Sequence, residues 1–340
     1  MYEGDFANGK FHGKGIYIPN RTEYEGDFID GKFYKGKIKN ANGNIYEGEF
    51  IDGFAFDSKI KHGKGQMKFA NGNFYDGQWN NGKMTGLGKL ILKNGNIYEG
   101  EFVNDSYHGN GKFISAKGDI YKGEWKEGKL NGFETFIGVD GSSYEGEYIN
   151  GFASKGKFLT SSGSVFTGEW IDRKFNNGFV KEIFENGSIY EGNYVNGKRS
   201  KGKFSAPNGS VLTGEWIDGK FSNGFRKEVF ENGDIYEGNY FNGIRHGRGK
   251  FVASNGNIYE GEWNNGKVHG YATGKEMLAN GSVYEGEFFN GIRHGQGKLI
   301  TTNGEILEGT WANGEPQALN KKTIPNSDKP NLFKRIFRKK

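Results

Sequence analysis

One five-residue phrase recurs along almost the whole chain and constrains its fold more than any other feature. The phrase is Tyr-Glu-Gly-Glu-aromatic, and its first residue, called the anchor below, occurs fourteen times at steps of 22–25 residues with a single step of 29. Glycine follows every anchor by two residues, and an aromatic residue follows it by four. Self-similarity at this period is typical of a repeat protein. The anchors are Tyr2, Tyr24, Tyr46, Tyr75, Tyr98, Tyr121, Tyr144, Phe166, Tyr190, Leu212, Tyr236, Tyr259, Tyr284 and Leu307.

Turn-forming dipeptides divide each repeat into two short extended runs. Asn-Gly or Asp-Gly pairs precede most anchors, as at Asn42-Gly43, and also follow them, as at Asn8-Gly9. These pairs are the strongest signal for a type I′ hairpin turn, because both central residues of that turn need a positive φ. The sequence therefore predicts an all-β protein: an elongated single-layer antiparallel β-meander of about fourteen tandem hairpin repeats.

Side-chain alternation assigns the two faces of this sheet. Tyr236, Gly238 and Tyr240 share one face, where glycines leave room for large rings to lie flat over the backbone. The other face pairs acidic with basic residues across strands, and we expect Glu237 to face Arg248 or Lys250. Such pairs contribute about 0.2–1 kcal/mol each relative to alanine.

Two variations overlie the basic repeat. The step of 29 residues contains an insertion of six residues between Gly53 and His62. A longer period of 46 residues is also visible, because Phe166-Thr-Gly-Glu-Trp and Leu212-Thr-Gly-Glu-Trp alternate with two copies of Tyr-Glu-Gly-Asn-Tyr that begin at Tyr190 and Tyr236.

These residues resemble the MORN motif, the membrane occupation and recognition nexus repeat. The copy Tyr259-Glu-Gly-Glu-Trp-Asn-Asn-Gly-Lys-Val-His-Gly270 is nearly ideal, and the resemblance covers residues 2–314. It implies an elongated, twisted, single-layer sheet with a thin core of aromatic and glycine residues. It implies little chemistry, since similar arrays occur in membrane tethers, lipid kinases, ciliary components and cytoskeletal scaffolds whose activity resides in other domains.

Catalytic and metal-binding patterns are not found in the sequence. Without cysteine, thiol catalysis and cysteine zinc sites are excluded, and neither G-x-S-x-G nor a P-loop occurs. Successive histidines of the repeat would lie about 2 × 4.8 Å apart, too far to share one zinc ion. We therefore expect no enzyme activity, no cofactor and no metal, and a single-layer sheet does not readily supply a hydrolase pocket. All six histidines occupy the His-Gly position of the repeat: His12, His62, His108, His246, His269 and His294.

The C-terminal segment departs from the repeat in composition and charge. Residues 315–340 hold eight basic and two acidic side chains, whereas residues 1–314 hold 38 and 39. Proline at 316, 325 and 330 predicts a non-helical linker over 315–330. Residues 331–340 predict a short amphipathic helix, with Leu332, Phe333, Ile336 and Phe337 on one side and Lys334, Arg335, Arg338, Lys339 and Lys340 as its basic residues. These nine residues are the candidate contact with a membrane or a partner.

Ten residues are too few to span a bilayer but can lie in its interface. The alternatives for the tail are a nuclear-localisation or nucleic-acid patch, a helix that docks on a partner, and a solvated end.

The sequence thus predicts three parts: a repeat array over 1–314, a linker over 315–330 and a basic amphipathic tail over 331–340. The hypothesis for function is a non-catalytic scaffold or tether for protein–protein interaction, held at a membrane surface by the tail. The alternative is a phosphoinositide-binding module that uses the array itself; a carbohydrate binder is disfavoured. The expected partners are proteins, an anionic membrane surface and a second copy of the chain, while nucleic acid is disfavoured. With no secretory signal at its start, the chain is expected in the cytoplasm, at a membrane periphery or on the cytoskeleton.

Overall fold

The computed structural model describes residues 1–51 and 60–323, which contain 28 β-strands and no helix. Odd-numbered strands carry the anchors and even-numbered strands return. The strands are β1 (Tyr2–Ala7), β2 (Lys10–Tyr17), β3 (Glu23–Ile29), β4 (Lys32–Lys39), β5 (Ile45–Ile51), β6 (Ile60–Lys68), β7 (Phe74–Asn80), β8 (Lys83–Ile91), β9 (Ile97–Val103), β10 (Ser106–Ile114), β11 (Ile120–Lys126), β12 (Lys129–Ile137), β13 (Ser143–Ile149), β14 (Phe152–Leu159), β15 (Val165–Ile171), β16 (Lys174–Ile183), β17 (Ile189–Val195), β18 (Lys198–Ser205), β19 (Val211–Ile217), β20 (Lys220–Val229), β21 (Ile235–Phe241), β22 (Ile244–Val252), β23 (Ile258–Asn264), β24 (Lys267–Met277), β25 (Val283–Phe289), β26 (Ile292–Ile300), β27 (Glu305–Ala312) and β28 (Glu315–Thr323).

The chain divides into two compact units, Met1–Phe175 and Asn176–Lys340. In the first unit, β1 to β15 form an antiparallel meander in which each strand pairs with the next. In the second unit, β16 to β28 do the same. Each unit has its own aromatic clusters on one face of the sheet. The predicted all-β antiparallel meander is therefore confirmed.

Turns of two kinds connect the strands. After the anchors, both central residues have positive φ, as at Asn8 (50°) and Gly9 (73°), which confirms the type I′ prediction. Before most anchors the prediction of the same turn is wrong, because only the glycine has positive φ, as at Gly43 (88°); the turn before Tyr24 has positive φ at Asn20 and Arg21 instead. In the turn at Gly43, Asn42 keeps a negative φ, and its side chain accepts a hydrogen bond from the backbone N–H of Asn44.

The anchor ring lies over a pair of glycines at the centre of its hairpin. Gly100 on β9 pairs with Gly111 on β10, and the ring of Tyr98 covers both. A methyl group at Gly111 would lie 2.3 Å from the Tyr98 hydroxyl oxygen and 2.6 Å from Cζ, so only glycine fits beneath the ring. As a result Tyr98 is fully buried in a sheet of one layer. This arrangement confirms the predicted role of the repeated aromatic and glycine positions.

The same tyrosine also closes a β-bulge. The register of β9 and β10 shifts between His108 and Gly111, which frees backbone carbonyls at this point. The Tyr98 hydroxyl lies 3.0 Å from the carbonyl oxygen of Glu101 and 3.1 Å from that of His108. Seven further anchors donate to the carbonyl three residues onward: Tyr2, Tyr46, Tyr75, Tyr144, Tyr190, Tyr236 and Tyr284.

The sheet continues past residue 314, contrary to the predicted linker. Residues 315–323 form β28, the return strand that the last anchor strand β27 requires. Lys321 pairs with Glu305 at 2.6 Å, and Leu319 packs against the aromatic cluster. Among the described strands, β28 pairs only with β27 and so lies at an edge of the sheet, where proline is accepted; this explains Pro316. Residues 324–340, with the predicted helix, lie outside the described residues.

Replacing Gly111 by alanine tests the ring-over-glycine packing. The added methyl group must displace the Tyr98 ring, so Gly111→Ala should lower the free energy of unfolding by about 1–3 kcal/mol, the usual cost of overpacking. Thermal unfolding followed by circular dichroism would measure the change. The matched control is the exposed neighbour Asn110→Ala, and equal stability of the two variants would contradict this packing role.

Candidate functional site

The face opposite the anchors, called the charged face below, carries a ladder of ion pairs. Lys250 on β22 lies 3.5 Å from Glu260 on β23, and Arg248 lies 3.5 Å from Glu262. Lys250 also stands opposite Glu237 in register. Glu237 therefore faces Lys250 as expected, but the ion pair itself connects Lys250 to the next repeat. Equivalent inter-repeat pairs are Lys14–Asp27, Lys35–Glu49, Lys89–Glu99, Lys181–Glu191 and Lys275–Glu285.

Four exposed aromatic residues interrupt the ladder at intervals of 46 residues. They are Phe133, Phe179, Phe225 and Tyr271, with exposed fractions of 59%, 53%, 42% and 67%. Each follows a glycine of positive φ on an even-numbered strand and lies on the charged face. Rings this exposed add little to folding, and exposed aromatic side chains are a common feature of interaction surfaces.

The residues opposite these rings explain the Tyr-Glu-Gly-Asn-Tyr variant. Phe179 stands opposite Asn193, and Phe225 stands opposite Asn239. In ordinary repeats a cation faces an acid at this point, as Arg248 faces Glu262. At Phe179 and Phe225 the ring replaces the cation and asparagine replaces the acid, whereas Phe133 still faces Glu147. In the second unit the charged face therefore presents an ordered series of side chains: Phe179, Asn193, Lys201 and Glu215, then Phe225, Asn239, Arg248 and Glu262.

An open depression of about 720 Å³ lies on this face between Phe225 and Tyr271. These two residues are on β20 and β24, which at about 4.8 Å per strand are roughly 19 Å apart. Phe289 and His294 extend the aromatic side, with ring centres 5.1 and 6.2 Å from that of Tyr271. The charged residues that line the depression are Glu237, Arg248, Lys250, Glu260, Glu262 and Glu287.

The anchor face contains a second periodic feature, a half-buried arginine paired with a glutamate. The guanidinium carbon of Arg199 lies 4.9 Å from the Tyr190 ring centre, and its nitrogen lies 2.9 Å from Glu182. Tyr194 donates to the same carboxylate at 2.8 Å, and burial together with this bond raises the pKa of Tyr194 to about 12. Arg245 with Glu228 and Arg293 with Glu276 repeat the arrangement. Because these charges are already compensated, the clusters stabilise the anchor face and offer no reactive group.

Glu134 is a buried carboxyl group at a position where most repeats have glycine. It pairs with Gly123 on β11 and is 2% exposed. Burial raises the pKa of Glu134 to about 7, and the charge of Glu124 acts in the same direction. A pKa near neutrality suits a general acid or base. This carboxyl is nevertheless enclosed by the protein and cannot meet a substrate.

Within residues 1–51 and 60–323, no group of three His, Asp or Glu side chains could hold a metal ion. In the same ranges no helix is long and apolar enough to span a membrane.

Comparison with known families decides the nature of the repeat. The model of the MORN repeat matches residues 2–21, 56–74, 75–97, 98–120, 121–143, 144–165, 190–211, 236–258, 259–273 and 284–306, which together exceed half of the chain. The chain belongs to the MORN repeat family. Ten segments match, whereas the 28 strands correspond to fourteen hairpins, so the count of fourteen rests on the strands and the anchors.

No curated protein matches this MORN repeat chain. Among solved structures, one similar chain is the TCP domain of SAS-4 from Drosophila melanogaster, in complex with a proline-rich motif of Ana2. It is 14% identical, and the match covers 54% of this chain and 90% of that chain with a TM-score of 0.28. Virginiamycin B lyase from Staphylococcus aureus is 12% identical. The match covers 85% of this chain and 84% of the lyase, with a TM-score of 0.13. TM-scores this low establish neither a shared fold nor a shared function.

The predicted contact residues, 332–340, all lie outside the described residues, so their role stays a prediction. The exposed aromatic residues of the MORN array were not among the sequence candidates. The signal was present, since each follows a glycine and the spacing of 46 equals the longer period. It was missed because an aromatic residue in a strand is most often part of the core.

The exposed aromatic residues should be dispensable for folding. Phe179→Ser should change the free energy of unfolding by less than about 0.5 kcal/mol, because the ring is half exposed. The matched variant Phe288→Ser removes a buried ring of the same type and should cost about 3–5 kcal/mol. Chemical denaturation of both variants tests the assignment. A large decrease in the free energy of unfolding for Phe179→Ser would show that this ring is part of the core.

Stability should depend on pH through Glu134. The folded-state pKa of about 7 lies above the ordinary value of 4.5, so the unfolded state releases this proton first and stability falls as pH rises from 4.5 to 7. The full effect is on the order of 3 kcal/mol. Glu134→Gly should therefore raise the unfolding temperature at pH 8 more than at pH 4.5. The control Glu145→Gln removes an exposed carboxyl, and the same pH profile for both variants would refute this account.

Proposed function

We propose that this chain is a non-catalytic MORN-repeat scaffold or tether, which binds protein partners through its charged face and is held at an anionic membrane surface by its C-terminal tail. The observation that carries the proposal is the division of charge. Residues 1–323 contain 40 basic and 40 acidic side chains, whereas residues 324–340 contain six basic and one acidic. The whole net charge of +5 therefore lies after β28.

The ion-pair ladder supports this division. Cations on the charged face already face carboxylates across the repeats, at distances of 2.6–3.8 Å. An array whose cations are matched by acids has little net attraction to an anionic surface. The tail combines five basic residues at 334–340 with four apolar ones, and a basic residue near an anionic leaflet contributes about 1 kcal/mol.

The exposed aromatic residues support the scaffold part of the proposal. Phe179, Phe225 and Tyr271 expose apolar surface to solvent, whereas anchors such as Tyr98 bury their rings over glycine. Large exposed rings with amide and charged neighbours suit a protein partner, because aromatic residues and arginine are enriched at interfaces.

Flotation with vesicles of phosphatidylcholine and phosphatidylserine tests the membrane role of the tail. The full chain should float at low salt, and it should be released at about 0.5 M salt, where charges are screened within a few ångströms. A variant with Lys334, Arg335, Arg338, Lys339 and Lys340 changed to Gln should bind at least about tenfold less. The matched control changes five cations of the array to Gln: Lys35, Lys64, Lys155, Lys201 and Lys250. Equal flotation of the tail variant and the natural chain would refute the tail as the anchor.

A second candidate is phosphoinositide binding by the array itself. It is favoured by Arg248, whose side chain is 90% exposed between Phe225 and Tyr271, although Glu262 lies 3.5 Å away. The tail-neutralised chain with vesicles that contain phosphatidylinositol bisphosphate separates the two candidates. If that variant floats, and if the additional change Arg248→Gln abolishes its flotation, the array itself binds the lipid.

A further inference from the structure

The depression between Phe225 and Tyr271 combines apolar walls with an excess of negative charge. Four carboxylates and two cations line it. The two cations are occupied, since Arg248 pairs with Glu262 and Lys250 with Glu260. Glu237 and Glu287 make no ion pair with any described residue, although Glu287 accepts a hydrogen bond from the backbone N–H of Gln296 at 2.8 Å. The depression therefore suits an occupant that is both basic and aromatic or aliphatic.

A segment with this chemistry follows β28 in the same chain. Residues 324–340 carry six basic side chains and one acidic, and include Leu332, Phe333, Ile336 and Phe337. The sign of its charge is opposite to that of Glu237 and Glu287. Its apolar residues offer partners for the Phe225 and Tyr271 rings, which are 42% and 67% exposed.

The tether is long enough for this segment to reach the depression. β28 lies four strands from β24, or about 19 Å at the usual strand spacing. Thr323 stands opposite Glu305, and Tyr271 is level with Ala312, seven residues farther along β27, which adds about 24 Å along the strand. Together these give roughly 31 Å to Tyr271. The twelve residues 324–335 span about 40–43 Å when extended, so Ile336 and Phe337 can arrive beside Tyr271.

We propose that residues 324–340 dock into the depression between Phe225 and Tyr271 of their own chain. The basic side chains lie near Glu237 and Glu287, and the apolar side chains cover the two exposed rings. The tail then has two alternative locations, because apolar residues that cover Phe225 and Tyr271 cannot enter a membrane at the same time. Docking itself needs no membrane and stands or falls separately from the membrane role proposed above.

Photo-crosslinking in the full-length chain tests the docking. Benzoylphenylalanine in place of Phe337 is irradiated at low salt without lipid, and crosslinked peptides of the monomer are mapped by mass spectrometry. We expect the crosslinks to fall on strands β20 to β25. The double variant Phe225→Ser, Tyr271→Ser should lose about tenfold in crosslink yield, which corresponds to about 1.4 kcal/mol of binding.

The control Phe133→Ser removes the equivalent exposed ring in the first unit and should leave the yield unchanged. Thermal unfolding confirms that each variant remains folded. Crosslinks that fall on other strands, that occur only between two chains, or that persist in the double variant would each overturn the proposal. A separate experiment adds vesicles before irradiation. If the vesicles do not reduce the crosslink yield, the result counts against the membrane role of the tail and not against docking.

Discussion

The packing of the anchor ring on a glycine pair is the interaction on which the rest of the structure depends. A single layer of strands has no second layer against which to bury its side chains, so each hairpin must bury its apolar surface on its own backbone. The Tyr98 ring does this over Gly100 and Gly111, and its hydroxyl satisfies two carbonyls at the adjacent bulge. Where a side chain replaces the return-strand glycine, as at Glu134 and Ala272, the anchors Tyr121 and Tyr259 are only half buried.

Because folding uses the anchor face, the charged face is free to vary. Acid–base pairs connect its repeats in most places. At intervals of 46 residues an exposed aromatic ring takes the place of the cation. Opposite two of these rings, Phe179 and Phe225, the acid is replaced by the amide of Asn193 or Asn239. The binding function that we propose for this MORN array uses this face.

Much of the fold could be predicted from the sequence because its determinants are local. A hairpin turn is specified by two residues, and side-chain alternation then assigns Tyr236, Gly238 and Tyr240 to one face. Features that depend on side-chain placement could not be predicted. The choice of Glu260 over Glu237 as the partner of Lys250 is one, because both carboxylates stand opposite Lys250 on neighbouring strands and side-chain placement decides between them. Strand β28 was missed because its proline residue and polar composition resemble a linker.

Hydrogen exchange measured by mass spectrometry tests most directly whether ring-over-glycine packing stabilises each repeat. Amides are protected according to the local stability of the element that contains them. The account predicts that residues 98–114, with an intact glycine pair, exchange more slowly than residues 121–137, where Glu134 replaces the glycine. In the second unit, residues 236–252 should likewise be protected better than residues 259–277. Equal protection in both comparisons would contradict the central claim.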